Sequence, residues 1–273
     1  ESAIADGQGA RRGDVVHAQV ARVPRAQPRF HRHIGPGMPA RGEDIALDLH
    51  RGDGFARAEV DAVIGTNELD KITALCEGIE PAANPLEPYL YHDLTPRVLT
   101  TPRHFAYVKI AEGCDHPCTF CVIPQYRGAF RSRRFESVVN EAKRLFAQGI
   151  REINLIGQDT TCYGEDLGLK DGLAQLLARL AELETDHEKW VRFLYCYPNR
   201  VTQKLLDTIA EHESLVKYID IPLQHASGNV LKRMKRGSNG DFFLKLLERM
   251  RKTIPGVAIR TSMIVGFPGE TEK

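Results

Sequence analysis

The stretch EGCDHPCTFC, Glu112 to Cys121, places three of the chain's six cysteines within eight residues, at Cys114, Cys118 and Cys121. It follows an apolar run, FAYVKIA (105–111), that reads as a strand, and it is itself polar and Pro-containing. Three buried thiols without a metal would make a poor apolar core on such a loop. Soft thiolate ligands on one short segment point instead to a metal centre. Three of them suit a cubane iron–sulfur cluster, which offers one outer position per iron, so that one iron stays open. An open position is the mark of a metal site that performs chemistry. Zinc is the competing reading and would need a fourth ligand such as His116. That residue lies inside the first cysteine gap, where the chain must already turn around a metal, which makes it an awkward member of the same tetrahedron.

Outward from this loop, strand-like runs alternate with helical patterns. FAYVKIA, EINLIG, WVRFLYCY, VKYIDIPL and VAIRTSMIVG alternate with FESVVNEAKRLFAQG, LAQLLARLAELE, VTQKLLDTIAEH and NVLKRMKR followed by DFFLKLLERMRKTI. Five β/α units of this kind predict an α/β fold, a partial parallel (β/α) barrel. In the first helix Val138, Ala142, Leu145 and Phe146 share one face, and Gly149 stands where a helix end favours a left-handed residue. The segments after the strands, EGCDHPC, GQDTTCYG, YPNR, QHASG and GFPGE, are polar and glycine-rich. In parallel barrels the loops at the carboxyl ends of the strands converge on the active site, so the cysteine loop belongs to the catalytic rim. Cys162 and Cys196 also follow strands and read as ordinary thiols.

The main domain is predicted over 102–273, behind a Pro-rich linker at 81–101 and the remnant of a small α/β domain at 59–80, with a short strand at 62–65 and a helix at 67–76. Residues 1–58 carry nine Arg and no Lys and show no period, which reads as a flexible basic arm with some attraction for nucleic acid. A net charge of +1 and 42% hydrophobic residues predict a globular body with no global pull toward nucleic acid or membrane. No apolar run is long enough for a membrane span, and the first thirty residues lack a secretory core. A reducing cytoplasmic location is expected, where clustered cysteines bind metal more often than they form disulfides.

The motif Cys114-x-x-x-Cys118-x-x-Cys121, with aromatic Phe120 before the third cysteine, resembles the radical S-adenosylmethionine (SAM) superfamily. That resemblance implies a 4Fe-4S cluster on the three cysteines, with SAM chelated at the open iron and cleaved by one electron. The surrounding words, from EVDAVIGTNELDKI through IPQYRGAFRSR and INLIGQDTTCYGEDLG to YIDIPLQHASGNVLKRMKR and VGFPGET, are similar to those of methylthiotransferases. Gln158-Asp159-Thr160 and Gln224-His225-Ala226-Ser227 resemble the branch that methylthiolates the β-carbon of an aspartate in the small-subunit ribosomal protein S-twelve, against a tRNA-modifying branch as the alternative.

The resemblance implies that Gln158 meets the cofactor's amino group, that Gln224 and Ser227 meet its ribose or methionine part, that Arg236 pairs with its carboxylate and that Ile264 and Gly266 on the fifth strand meet the adenine. For Arg236 a solvated helix charge is the other reading. It further implies an electron donor such as flavodoxin or ferredoxin, and a ribosomal protein substrate. Arg127, Arg131, Arg133 and Arg134 form a basic group that would meet an acidic loop or RNA phosphate, or else simply face solvent. The family's second cluster, held by three cysteines of an N-terminal domain, is not encoded upstream of Cys114, where only Cys76 occurs. The chain is therefore expected to be a piece of a longer protein, truncated before the last barrel strand, that retains cluster and SAM binding. The Arg-rich, Lys-free composition of the opening segment admits a second reading beside the flexible arm, a translation in the wrong frame.

Overall fold

A computed structural model describes residues 64–79 and 89–271, and the expectations for 1–58, for 59–63 and for the 81–88 part of the linker lie outside them. The chain divides into two compact units, with the boundary at Leu90. In the first, a turn of 3-10 helix at Leu69–Lys71 leads into a helix, α1 (Ile72–Cys76), somewhat shorter than its apolar pattern predicts. Ile64 and Gly65, the described part of the expected first strand, are not in a strand.

The second unit carries the barrel. Three parallel strands form its best-paired part: β1 (Phe105–Lys109), β4 (Glu152–Ile156) and β5 (Trp190–Phe193), in the order β1-β4-β5. Val108 pairs with Leu155, and Leu155 with Phe193. Central β4 buries Ile153, Asn154 and Leu155 in succession, as a strand covered on both faces must. On β1 burial alternates, with Ala106 and Val108 inside and Tyr107 exposed. Parallel pairing continues through the isolated bridge Val191–Leu215 to β6 (Tyr218–Asp220) and β7 (Ala258–Arg260), which pair with each other in parallel. Strand order thus follows chain order, as the five β/α repeats require.

The helices between the strands are α3 (Phe135–Ala147), α4 (Gly172–Ala181), α5 (Gln203–Glu211), α6 (Gly228–Arg233) and α7 (Gly240–Thr253). In α3 the predicted face of Val138, Ala142, Leu145 and Phe146 is buried. Gly149 ends that helix with φ +86°, its N–H and that of Ile150 donating to the carbonyls of Phe146 and Leu145. Two short antiparallel strands, β2 (Ala111–Glu112) and β3 (Arg131–Ser132), pair across the base of the cysteine loop. A short helix, α2 (Ile123–Arg127), closes the loop's far side. Among the described residues no helix is long and apolar enough to cross a membrane.

Residues 90–101 are irregular, yet they are fastened to the barrel rather than free. Asp93 N–H donates to Ser137 Oγ at 2.9 Å, and Arg97 bonds both the Tyr107 carbonyl and the Glu141 carboxylate. The same carboxylate pairs with Arg133, which is only 2% exposed and also donates to Ser137 Oγ, the Ser137 carbonyl and the Lys109 carbonyl. Arg133 is therefore a core residue, and the expected four-arginine basic face does not exist as such. Glu141 holds it inside because a guanidinium taken from water needs a carboxylate and nearly all its donors filled.

Removing one partner of such a pair strands the other in the core. Glu141→Ala is expected to destabilise the chain by about 3 kcal/mol, lowering the midpoint of thermal unfolding by roughly 6–12 °C. Arg97→Ala, which deletes a half-exposed partner, should lower it by a third of that or less.

Candidate metal centre

The cysteine loop leaves β2 through Gly113, whose φ is +80°. A Cβ there would lie 2.1 Å from the Ala129 carbonyl oxygen, so the returning chain passes closer than any side chain permits. Immediately beyond, Cys114 N–H donates to the Gly128 carbonyl at 3.2 Å, and Phe130 N–H donates to Asp115 Oδ1 at 3.0 Å. The loop's tip is tied to the end of α6. Thr119 donates from its N–H to the Met234 carbonyl and from its hydroxyl to the Arg233 carbonyl. Cys121 N–H bonds the Cys118 carbonyl and turns the third cysteine back beside the second.

All three thiols are free, Cys114 and Cys118 being buried and Cys121 half-buried. Burial, with smaller contributions from Asp159 and the neighbouring cysteines, raises the Cys114 thiol above its ordinary value. Among the described residues, the group whose donor atoms all lie within 4.8 Å of one another is His116, Asp159 and Cys162, and the three loop thiols form no such group. His116 is engaged elsewhere: it stacks on Tyr197 with centroids 3.6 Å apart, and its Nε2 lies 2.6 Å from Asp159 Oδ2.

Asp159 is the hub of that network. Its carboxylate also accepts from Thr161 N–H and hydroxyl and, at 3.1 Å, from the Cys162 thiol. Burial by itself would raise this carboxyl, but hydrogen bonds from His116, Thr161 and Cys162 outweigh it and hold the group below its usual value. Burial, together with the Asp159 charge, pushes the Cys162 thiol well up, and burial does the same to Cys196. A thiol raised in this way is a weaker nucleophile at neutral pH.

The other predicted residues occupy the same rim with unequal involvement. Gln158 follows β4, and its Oε1 is buried with no hydrogen-bond partner among the described residues. Gln224 follows β6 with φ +75°, accepting from Ile264 N–H and donating to the Ser262 carbonyl. Ser227 is exposed at the start of α6, and Phe120 is 37% exposed on the cysteine loop. Ile264 and Gly266 do not lie on the fifth strand, because β7 ends at Arg260 and only the bridge Gln224–Met263 extends the pairing. Gly266, with φ +73°, and Pro268 turn the chain out of extended geometry there.

Arg236 is buried, which removes the solvated-helix reading, and it stands beyond the end of α6. Of the remaining arginines, Arg127 lies 3.7 Å from Glu112, Arg131 is half-buried and Arg134 is exposed at the start of α3. Sequence reasoning missed the role of Tyr197 and the convergence of His116 and Asp159. An aromatic four residues past a strand, and a histidine between two cysteines, were the available signals.

Over residues 108–273 the chain matches the family model of the Radical SAM superfamily. It is 80% identical, over 242 residues covering 88% of this chain and 52% of the relative, to the ribosomal protein uS12 methylthiotransferase RimO of Solibacter usitatus (strain Ellin6076). The RimO of Koribacter versatilis (strain Ellin345) is 55% identical over 262 residues, 79% of this chain and 51% of that protein. The chain thus spans about half the length of the curated relatives it matches. Among solved structures, the radical SAM methyltransferase TsrM of Kitasatospora setae, with tryptophan and a SAM analogue bound, superimposes with a TM-score of 0.50 at 19% identity, over 64% of this chain and 35% of that one. At that identity the likeness concerns the fold alone.

The close approach at Gly113 makes a direct prediction about the loop. Gly113→Ala should open it, raising the alkylation rate of Cys114 in the metal-free protein about tenfold, as measured by mass spectrometry of labelled peptides. Thermal unfolding of the barrel should move far less than in Glu141→Ala.

Proposed function

Because the chain belongs to the Radical SAM superfamily, we propose that Cys114, Cys118 and Cys121 hold one 4Fe-4S cluster with an open iron, and that SAM binds against it on the carboxyl rim of the barrel. The observation that carries this reading is the loop itself: three free thiols within eight residues on a backbone clamped by β2–β3 and by the Gly113 approach. When bound, the cluster and SAM supply a one-electron cleavage of a sulfonium bond whose product takes hydrogen from an unactivated carbon.

The chain's own residues bind, orient and exclude water. Gln158 Oε1 is an acceptor left unpaired in a buried position, a state that costs about 1–3 kcal/mol unless a ligand donates to it. The SAM amino group is such a donor. Gln224 and Ser227 serve the ribose or methionine part, while Ile264, Gly266 and Phe120 border the adenine side. Arg236 belongs to the cluster side, where its guanidinium already contacts Cys118.

For the whole protein, of which this chain spans about half, the proposed reaction is methylthiolation of the β-carbon of an aspartate in ribosomal protein uS12. The words Gln158-Asp159-Thr160 and Gln224-His225-Ala226-Ser227 favour this substrate over tRNA. A second cluster outside this chain's cysteines would serve the sulfur transfer, and a flavodoxin or ferredoxin would supply the electron. The setting is the reducing cytoplasm. Contact with ribosomal RNA phosphate falls to Arg127, Arg131 and Arg134, since Arg133 is in the core.

Anaerobic reconstitution with iron and sulfide tests the centre: about four irons per chain are expected, with an electron paramagnetic resonance signal that changes on adding SAM. Cys118→Ala should lose most of that iron, and iron retained at the parent level would defeat the assignment. Gln158→Ala should keep its iron and weaken SAM binding about tenfold, without lowering the thermal stability of the metal-free form. Incubating a full-length relative with uS12 and with tRNA separates the two substrates.

A further inference from the structure

Arg236 closes a stretch, LKRMKR (231–236), in which Lys232, Arg233 and Lys235 are exposed, while Arg236 is 6% exposed. The backbone causes this. After α6, Lys235 takes a left-handed conformation, φ +54°, and Arg236 N–H bonds back to the Leu231 carbonyl at 3.0 Å. That turn usually takes glycine, and here it swings the last cation inward.

Inside, the guanidinium lies over the Tyr197 ring at 4.4 Å, and its Nη2 donates to the Pro222 carbonyl at 2.5 Å. Its Nη1 donates to Cys118 Sγ at 3.6 Å. The Tyr197 hydroxyl donates to the Arg236 carbonyl at 3.0 Å, and the same ring stacks on His116. One aromatic side chain therefore fixes both Arg236 and the residue two before Cys118.

What Arg236 lacks is an anion. Among the described residues no carboxylate is paired with it, in contrast to Arg133, which is equally buried and bonded to Glu141. A cation held in a low-dielectric interior without a counter-charge is strongly unfavourable. The group that its fork reaches is the sulfur of Cys118, which becomes an anionic thiolate on binding metal.

We infer that Arg236 is the counter-ion of the cluster's Cys118 thiolate and sets the reduction potential of the centre. The inference rests on the cluster reading above. Reduction adds one electron, from a low-potential donor protein or from dithionite in the test, and raises the negative charge on the centre. A buried cation hydrogen-bonded to a ligand sulfur stabilises the reduced state more than the oxidised one and moves the potential upward. Arg236 is a positioning residue, and this role differs from a SAM carboxylate contact in acting before SAM is added.

The test is a redox titration of the reconstituted 273-residue chain without SAM, followed by electron paramagnetic resonance, for the parent, Arg236→Gln and Arg236→Lys. In Arg236→Gln the ratio of reduced to oxidised cluster at a fixed potential should fall about tenfold, a shift of about 59 mV to more negative values for a one-electron couple. Arg236→Lys keeps the charge but not the forked contact to both sulfur and carbonyl, so its ratio should fall about threefold. An unmoved midpoint in either variant, or equal displacement in both, overturns the assignment. If Arg236→Gln loses its iron, Arg236→Lys alone decides, and loss of iron from both marks the residue as structural and also overturns it. A parent chain that binds no iron defeats the cluster reading instead, before any variant is compared.

Discussion

The site depends on one close approach between two stretches of backbone. At Gly113 the chain leaving the first strand runs so near the Ala129 carbonyl that no side chain fits between them. This contact, with the β2–β3 pairing and the Cys114–Gly128 hydrogen bond, turns a loop of about twenty residues into a closed excursion with a fixed base. A loop so anchored loses little further conformational entropy when its three thiols converge on a metal. Its tip is held separately, through Thr119, by the end of a helix more than a hundred residues later in the chain.

The second organising feature is the treatment of buried charge. Two arginines are inside the barrel unit, and they are satisfied differently. Arg133 meets Glu141, the Lys109 carbonyl at the end of β1 and the Ser137 carbonyl of α3, an arrangement complete in the protein alone and serving to fasten residues 90–101 and α3 to the first strand. Arg236 meets a sulfur, a carbonyl and an aromatic face, an arrangement short of one negative charge. The contrast matters because the interior penalises both equally. The unmatched guanidinium beside Cys118 is the reason for inferring an anionic partner there. Gln158 carries the same message in neutral form, with a buried oxygen lacking a donor on the same rim.

The Asp159 network gives the loop its third attachment. His116 sits between two candidate ligands, and its ring is bonded to Asp159 and stacked on Tyr197, so the histidine that a zinc site would recruit serves as a strut. Asp159 can play this part because three donors compensate its burial. The network also draws the ends of the first, second and third parallel strands to one point. That convergence is the physical basis for placing active sites at the carboxyl rim of parallel barrels.

Much of this was legible in the chain. Alternation of apolar strands with amphipathic helices follows from local periodicity, so the parallel α/β order, the buried face of α3 and the left-handed Gly149 could all be read directly. The cysteine spacing likewise singled out the loop as the candidate centre, because thiolates on so short a segment can share one metal site. What could not be read was which charges are inside. Arg133 and Arg236 look like their neighbours in sequence, since nothing local distinguishes an arginine facing water from one turned into the core. Their burial is settled by Glu141, a turn and a half along the next helix, by Cys118 and Pro222 from distant loops, and by the strained backbone at Lys235. The end of β7 was also out of reach, because strand length is set by available partners and not by the apolar run alone. Periodicity and spacing act over a few residues and survive in one dimension. Desolvation and charge pairing depend on what folds against what, and only the tertiary structure decides them.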